Sequence, residues 1–179
     1  MTKKKSEINT PVAIEMLDIL TLIAYSNNPR THTDTQIDKL AASIKEFGFT
    51  NPILITDDNV IIAGHGRLLA AQKIGMLEAP CIRLSHLTDA QRRAYIIADN
   101  RLALDAGWDT EVLQAELQRL QEEPLTFDLK LTGFDDDQLE KFLKGDTGLD
   151  LDDPSVTPKQ ADVETYHCPK CGFEFNVEK

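Results

Sequence analysis

The sequence predicts an α+β fold: a small mixed sheet with packed helices, followed by short helices and a cysteine-containing tail. Three observations predict it. Short β-branched runs and helical apolar stripes interleave between residues 17 and 106. Their order suits strands and helices packed as two layers around one core. After Gly107 the strand signals give way to amphipathic segments, an acidic stretch and Cys168-Pro169-Lys170-Cys171.

The first 16 residues read as a polar arm, and Leu17 to Ile23 offers an opening strand. Asn27-Asn28-Pro29-Arg30 reads as a turn or extended loop, because proline fixes its own φ and drives its predecessor out of the helical region. A helix follows, with Asp34 as its expected cap. Ile37, Leu40, Ala41, Ile44 and Phe47 form one stripe that ends at Gly48. Pro52 to Thr56 and Val60 to Ala63 are β-branched runs joined by Asp57-Asp58-Asn59, a hairpin pattern. A second helix is expected from about Arg67, stopping at Gly75. Ala79 to Leu84 gives a further strand. Thr88-Asp89-Ala90-Gln91 has capping-box spacing and opens a third helix expected to reach about Ala106. Asp109 can cap a fourth helix carrying Val112, Leu113, Leu117 and Leu120, and Asp135 to Leu143 reads as a shorter fifth. The organisation expected is therefore an arm over 1–16, a main domain over 17–106, a helical extension over 107–144, an acidic linker over 145–165 and a tail over 166–179.

Charge narrows the functions. With 19 basic and 30 acidic residues the 179-residue chain carries -11, so no broad cationic field can hold duplex DNA by counterion release. Contact with DNA is expected to be weak or indirect. Residues 135 to 164 alone hold ten acids against three lysines. No apolar run approaches the roughly 20 residues that span a bilayer, and no apolar signal core follows Met1, so a soluble cytoplasmic protein with no membrane partner is expected.

The segment most suggestive of chemistry is Ile61-Ile62-Ala63-Gly64-His65-Gly66-Arg67. A buried strand running through glycines straight into a helix leaves the first helical N–H groups free, and these together with the helix dipole attract an anion. Arg67 in the first turn can grip a phosphate with two parallel hydrogen bonds. The plain alternative is a tight turn beside a solvated arginine.

Three stretches carry a family resemblance: Asn28-Pro29-Arg30, Leu40 to Ile53, and Ile62 to Ala71. In order and spacing they resemble the N-terminal domain of ParB proteins, on the fold shared with sulfiredoxins. The resemblance implies binding of a nucleoside triphosphate, CTP or ATP, with Mg²⁺. The ParB Pro-Arg loop corresponds to Asn28-Pro29-Arg30, and the Gly-Glu-Arg-Arg turn to Gly64 and Arg67. The Glu-Asn-x-x-Arg segment is matched loosely by Asp99-Asn100-Arg101. Arg30 and Arg67 would then neutralise phosphate, Gly64 and Gly66 would open the backbone to it, and Asp99 with Asn100 would hold a phosphate or Mg²⁺. His65 and Gly66 stand where the ParB turn has Glu and its first Arg, so one cationic contact is missing. His65 also occupies the position of the sulfiredoxin catalytic cysteine, which argues against sulfinic acid reduction. As a histidine it can donate to phosphate, serve as an acid or base, or be a polar surface residue.

The helices beyond Gly107 are short and acidic, with no basic recognition face, so an independent DNA reader is not expected. The variant turn and Ile97 to Ala103 look more like the ParB-like domains of phage and prophage genes beside DNA methyltransferases. That resemblance implies an accessory role in DNA modification, with a methyltransferase or similar protein as partner and a homodimer among the assemblies to test. A nucleotide hydrolase or phosphotransfer enzyme on the same fold is the competing reading. A nuclease lacks a convergent acidic cluster, since Asp57-Asp58 suits hairpin chemistry. In the tail, Cys168 and Cys171 with His167 have the form of one zinc knuckle. A structural zinc site needs four ligands, so completion would come from a second chain, a partner, Cys81 or His32.

Overall fold

The computed structural model describes residues 13–145 and the backbone of two further strands, Val163–His167 and Glu174–Glu178. The sheet of the main unit comprises β1 (Glu15–Asp18), β2 (Ile53–Ile55), β3 (Ile61–Ala63) and β4 (Glu78–Arg83), in the order β1-β4-β2-β3. β4 runs parallel to β2, while β1 on β4 and β2 on β3 are antiparallel, so the sheet is mixed. Five helices accompany it: α1 (Asp34–Phe47), α2 (His65–Lys73), α3 (Asp89–Leu102), α4 (Thr110–Glu122) and α5 (Asp136–Leu143). This is the α+β class that the interleaved patterns predict.

Both faces of the sheet are covered, which explains why its strands read as continuous apolar runs. Ile53, Ile55 and Ile61 point to one face with Leu68 of α2 and Cys81, all buried. Ile62 points to the other, where Leu84 and Ile96 of α3 meet it. α1 packs on α2 through Ile37, Ala41 and Ala70. The two arms of the β2–β3 hairpin are held by Arg83. Its guanidinium donates to the carbonyls of Thr56 (2.7 Å) and Asp57 (2.8 Å), to Asn59 Oδ1 (3.1 Å), and to Glu15 Oε2 of the edge strand (3.1 Å). Asn59 takes φ 61°, the left-handed turn conformation that asparagine tolerates.

Several boundaries differ from expectation for identifiable reasons. The opening strand is Glu15–Asp18, and Asp18 then caps a 3-10 turn, Ile19–Thr21, so Leu17 to Ile23 is not one strand. The chain regains the sheet only through a parallel bridge from Ile23 to Val60. α1 is capped by Thr33, whose Oγ1 accepts from the Gln36 N–H at 3.2 Å; Asp34 lies inside the first turn, where its charge meets the dipole. α2 begins at His65, two residues before the expected Arg67. α3 opens on the Thr88–Gln91 capping box but ends at Leu102, four residues short of Ala106, where Arg101 turns to pair with Asp105. Asp109 caps α4 as the sequence predicts, and Asp135, expected as the first residue of α5, caps it instead through a second capping box with Gln138.

α4 and α5 pack through buried Leu117, Leu139 and Phe142, and Phe134 sets its ring edge-on to both Phe142 and Trp108. In the C-terminal unit, Val163–His167 and Glu174–Glu178 (β5 and β6) pair antiparallel with His167 opposite Glu174. Cys168 and Cys171, like most of the acidic linker, lie outside the described residues, and so does any zinc they would hold. No described helix is long and apolar enough to cross a membrane.

Candidate anion-binding site

β3 ends at Ala63 and α2 starts at His65, leaving a single residue, Gly64, to make the turn. Its φ of 103° lies in the left-handed region that glycine enters without a Cβ penalty. The turn therefore delivers a buried strand directly into a helix whose N-terminus no side chain caps. Leu68 N–H, bonded to the Gly64 carbonyl at 3.0 Å, makes the first intrahelical bond, so the N–H groups of His65, Gly66 and Arg67 precede the ladder.

These groups open into a cleft of about 290 Å³. Asn28, Arg30, Gly64, His65, Gly66, Arg67, Asp99 and Asn100 all line it, so eight of the nine predicted residues converge. Arg101 does not join them. One residue beyond Asn100 on α3, it faces a separate apolar groove and pairs with Asp105 at 2.5 Å. Asn51, His32 and Gln36 line the cleft without having been singled out for it.

Arg67 folds back over the turn. A Cβ on Gly64 would stand 3.0 Å from Arg67 Nη2 and 3.1 Å from Nε. Nη1 donates to the Asn51 carbonyl at 2.8 Å, which fixes the guanidinium at the mouth of the helix and leaves most of its five N–H groups for a ligand. Burial lowers the Arg67 pKa, and the nearby Asp99 carboxylate opposes the shift. A guanidinium remains charged under these conditions, so this is a partly desolvated cation that gains from an anionic neighbour. Arg30 approaches from the preceding loop, donating through Nη1 to Asn100 Oδ1 at 3.2 Å; Asn100 in turn donates to the Ile96 carbonyl at 2.8 Å.

Two residues act differently from expectation. Gly66 is buried in the first turn of α2, and a Cβ there would meet His32 Cε1 at 3.0 Å and Leu40 Cδ1 at 3.1 Å. Its missing side chain thus makes room for α1 and the His32 ring as well as for an approaching ligand. The His65 side chain accepts the Tyr25 N–H at Nε2, 3.2 Å away. An amide can only donate, so Nε2 carries a lone pair and the proton of the neutral ring sits on Nδ1. Burial, and secondarily His32, lower the His65 pKa and favour that neutral form. Tyr25 and Asn51 escaped sequence reading because each contributes a backbone group, which no side-chain motif announces. His32, a candidate fourth ligand for the tail by sequence, here has Nδ1 2.9 Å from Gln36 Oε1. Cys81 has no exposed surface. Among the described residues no cluster of His, Cys, Asp and Glu forms a metal centre.

A four-stranded mixed sheet that feeds a glycine turn and an uncapped helix into a two-arginine cleft defines a ParB-like domain. The chain belongs to the ParB N-terminal domain family, whose model matches residues 2–100. Residues 111–166 match a second model, the ParB-methyltransferase HTH domain. On charge, no independent DNA reader is expected beyond Gly107, and the match adds a family relationship that short acidic helices do not announce. Over 72 residues the chain is 50% identical to the ParB-like nuclease domain-containing protein YnaK of Escherichia coli, covering 40% of this chain and 83% of that protein. It is 32% identical over 92 residues to a nucleoid occlusion protein of Bacillus cereus, but spans only 31% of that protein. Among solved structures, it is similar to the C-terminally truncated chromosome-partitioning protein ParB of Caulobacter crescentus complexed with CTP-gamma-S. The TM-score is 0.54 at 25% identity, over 62% of this chain and 64% of that one.

Proposed function

We propose that this protein binds a nucleoside triphosphate, CTP or ATP, in the cleft at the start of α2 and serves as an accessory protein in DNA metabolism or modification. The observation that carries the reading is the uncapped helix N-terminus with the Arg67 guanidinium folded over Gly64 and Arg30 lining the same cleft. Three free N–H groups, a helix dipole and two guanidinium groups suit a chain of phosphates. Asp99 and Asn100, the oxygen donors on α3, would face a Mg²⁺ travelling with the nucleotide. The likeness to a ParB solved with a CTP analogue supports the nucleotide. The match to a methyltransferase-associated domain supports a DNA-modifying partner.

Melting curves with each nucleotide and Mg²⁺ test this, because a ligand bound only by the folded state raises stability with the logarithm of its concentration over Kd. CTP or ATP is expected to raise the melting temperature of the wild type and to lose most of that effect in Arg67→Ala. Equal shifts in both proteins, or none with any nucleotide, would defeat the reading. Phosphate release measured in the same samples separates simple binding from slow hydrolysis.

A further inference from the structure

We propose that His65 is a positioning residue: by accepting the Tyr25 amide it holds the Arg30 loop against the start of α2, and its protonation loosens that loop and weakens triphosphate binding. The inference rests on the nucleotide reading of the cleft and adds a regulation to it.

The geometry forms a continuous path. Tyr25 N–H donates to His65 Nε2 at 3.2 Å, and the Tyr25 carbonyl accepts from Asn28 N–H at 3.1 Å. Asn28 braces Arg30 twice, donating from Nδ2 to the Arg30 carbonyl at 3.2 Å and accepting the Arg30 N–H on Oδ1 at 3.3 Å. Arg30 then reaches Asn100 of α3. His65 is the first residue of α2, two before Arg67, so one imidazole joins the two segments that supply the cationic side chains. Only the neutral ring can do this, since an imidazolium offers two donors and no lone pair to the amide. Among the groups lining the cleft, His32 before α1 also disfavours charge on His65; the other charged groups there are Arg67 on α2, Arg30 in the loop and Asp99 of α3, and Gln36 and Asn100 are neutral. Burial adds to the same preference.

The Tyr25 ring packs with Ile62, Leu84 and Ile96, so losing one hydrogen bond loosens the loop without detaching it. The expected effect is therefore graded, about 3- to 10-fold in affinity, the range for one net hydrogen bond. The sign follows from the lowered pKa. Above the ordinary histidine value of 6.5 the link is intact, and it is lost as pH falls toward and through the lower folded-state value.

The experiment measures Kd for CTP with Mg²⁺, and for inorganic tripolyphosphate, between pH 8 and 5.5 in the wild type, His65→Gln and His65→Ala. Glutamine places an oxygen acceptor near the Nε2 position and does not titrate. Because the ligand's terminal phosphate also titrates in this range, the ratio between proteins is the readout. Wild-type affinity should fall about 3- to 10-fold more than that of His65→Gln, which should bind more tightly than His65→Ala at every pH. Amide exchange at Tyr25 in the wild type should accelerate over the same interval beyond the intrinsic pH effect, an observation that needs no variant to fold. Parallel pH profiles, or wild-type binding that strengthens in acid relative to His65→Gln, would overturn the inference; the latter would make His65 a phosphate donor. Binding that lacks only the differential pH effect leaves the nucleotide reading standing. No binding of either ligand by the wild type at any pH overturns both.

Discussion

Replacing Gly64 by alanine should damage the site by two separable routes. At φ 103° any L side chain is strained, and a non-glycine residue in the left-handed region costs about 1–2 kcal/mol. The added Cβ would also lie 3.0 Å from Arg67 Nη2, 3.1 Å from Nε and 3.3 Å from Cζ, so the guanidinium must move from its seat beside the Asn51 carbonyl. The first effect belongs to the fold and the second to ligand contact. Denaturant titration should show a loss of about 1–2 kcal/mol in Gly64→Ala, since the strain is present with or without ligand. Nucleotide affinity should drop by about 10-fold or more, the scale of a displaced charge-assisted bond. A double-mutant cycle with Arg67→Ala divides the two. In the Arg67→Ala background the stability cost of Gly64→Ala should remain, because backbone strain does not depend on the arginine. The further loss of affinity should vanish. If Gly64→Ala were as stable as wild type, the left-handed turn would be wrong; if affinity fell equally in both backgrounds, Arg67 would not lie over the turn.

The hairpin clamp offers a second test: Arg83→Met removes a charged donor from two carbonyls and Asn59, and should cost about 1.5–3 kcal/mol by denaturant titration. A loss below 0.5 kcal/mol would show that the clamp is loose in solution. Thr88→Ala abolishes the α3 capping box and should cost about 1 kcal/mol, while Thr88→Ser should restore most of it. The purified chain should bind duplex DNA no more tightly than about micromolar at physiological salt, with a shallow salt dependence in electrophoretic shift or anisotropy assays. Nanomolar binding with a steep slope would contradict that expectation.

What was legible in the sequence was local. Helix starts at Thr88, Asp109 and Asp135, the stop at Gly48 and the β2–β3 hairpin each depend on residues within a few positions of one another, and the structure places them where their chemistry suggests. The Gly64–Arg67 turn was legible for the same reason. Less legible were choices between adjacent candidates: Thr33 and Asp34 can both cap a helix, and only the extended backbone at Thr33 decides. Illegible were the partners brought together by folding. His65 finds an amide 40 positions earlier, and Arg67 finds a carbonyl 16 positions earlier. Gly66 looked like an opening for ligand when its immediate neighbours are His32 and Leu40. Arg101 lines the separate groove and not the cleft that Asn100 enters, because a helix turns about 100° per residue.

The charge distribution reconciles a chain of net charge -11 with a site for an anion. Beyond a Debye length of about 8 Å at physiological salt, exposed charges elsewhere on the surface are largely screened, so a bound phosphate responds mainly to the groups that line its cleft. There Arg30 and Arg67 outweigh Asp99, and the uncapped helix adds further positive potential. Duplex DNA samples the surface differently, since it presents phosphates along its length and needs several cations at once. From Asp109 to Gly145, the segment that opens the helix-turn-helix match holds ten acidic residues against four basic ones. Asp135, Asp136 and Asp137 crowd the start of α5. The acids are well used within the fold, as a cap and as favourable charges on the dipole, but they repel a polyanion. Kinship with a DNA-binding module and the physical capacity to grip DNA are therefore different properties of this segment, and the cleft at Gly64 is where positive charge has been concentrated.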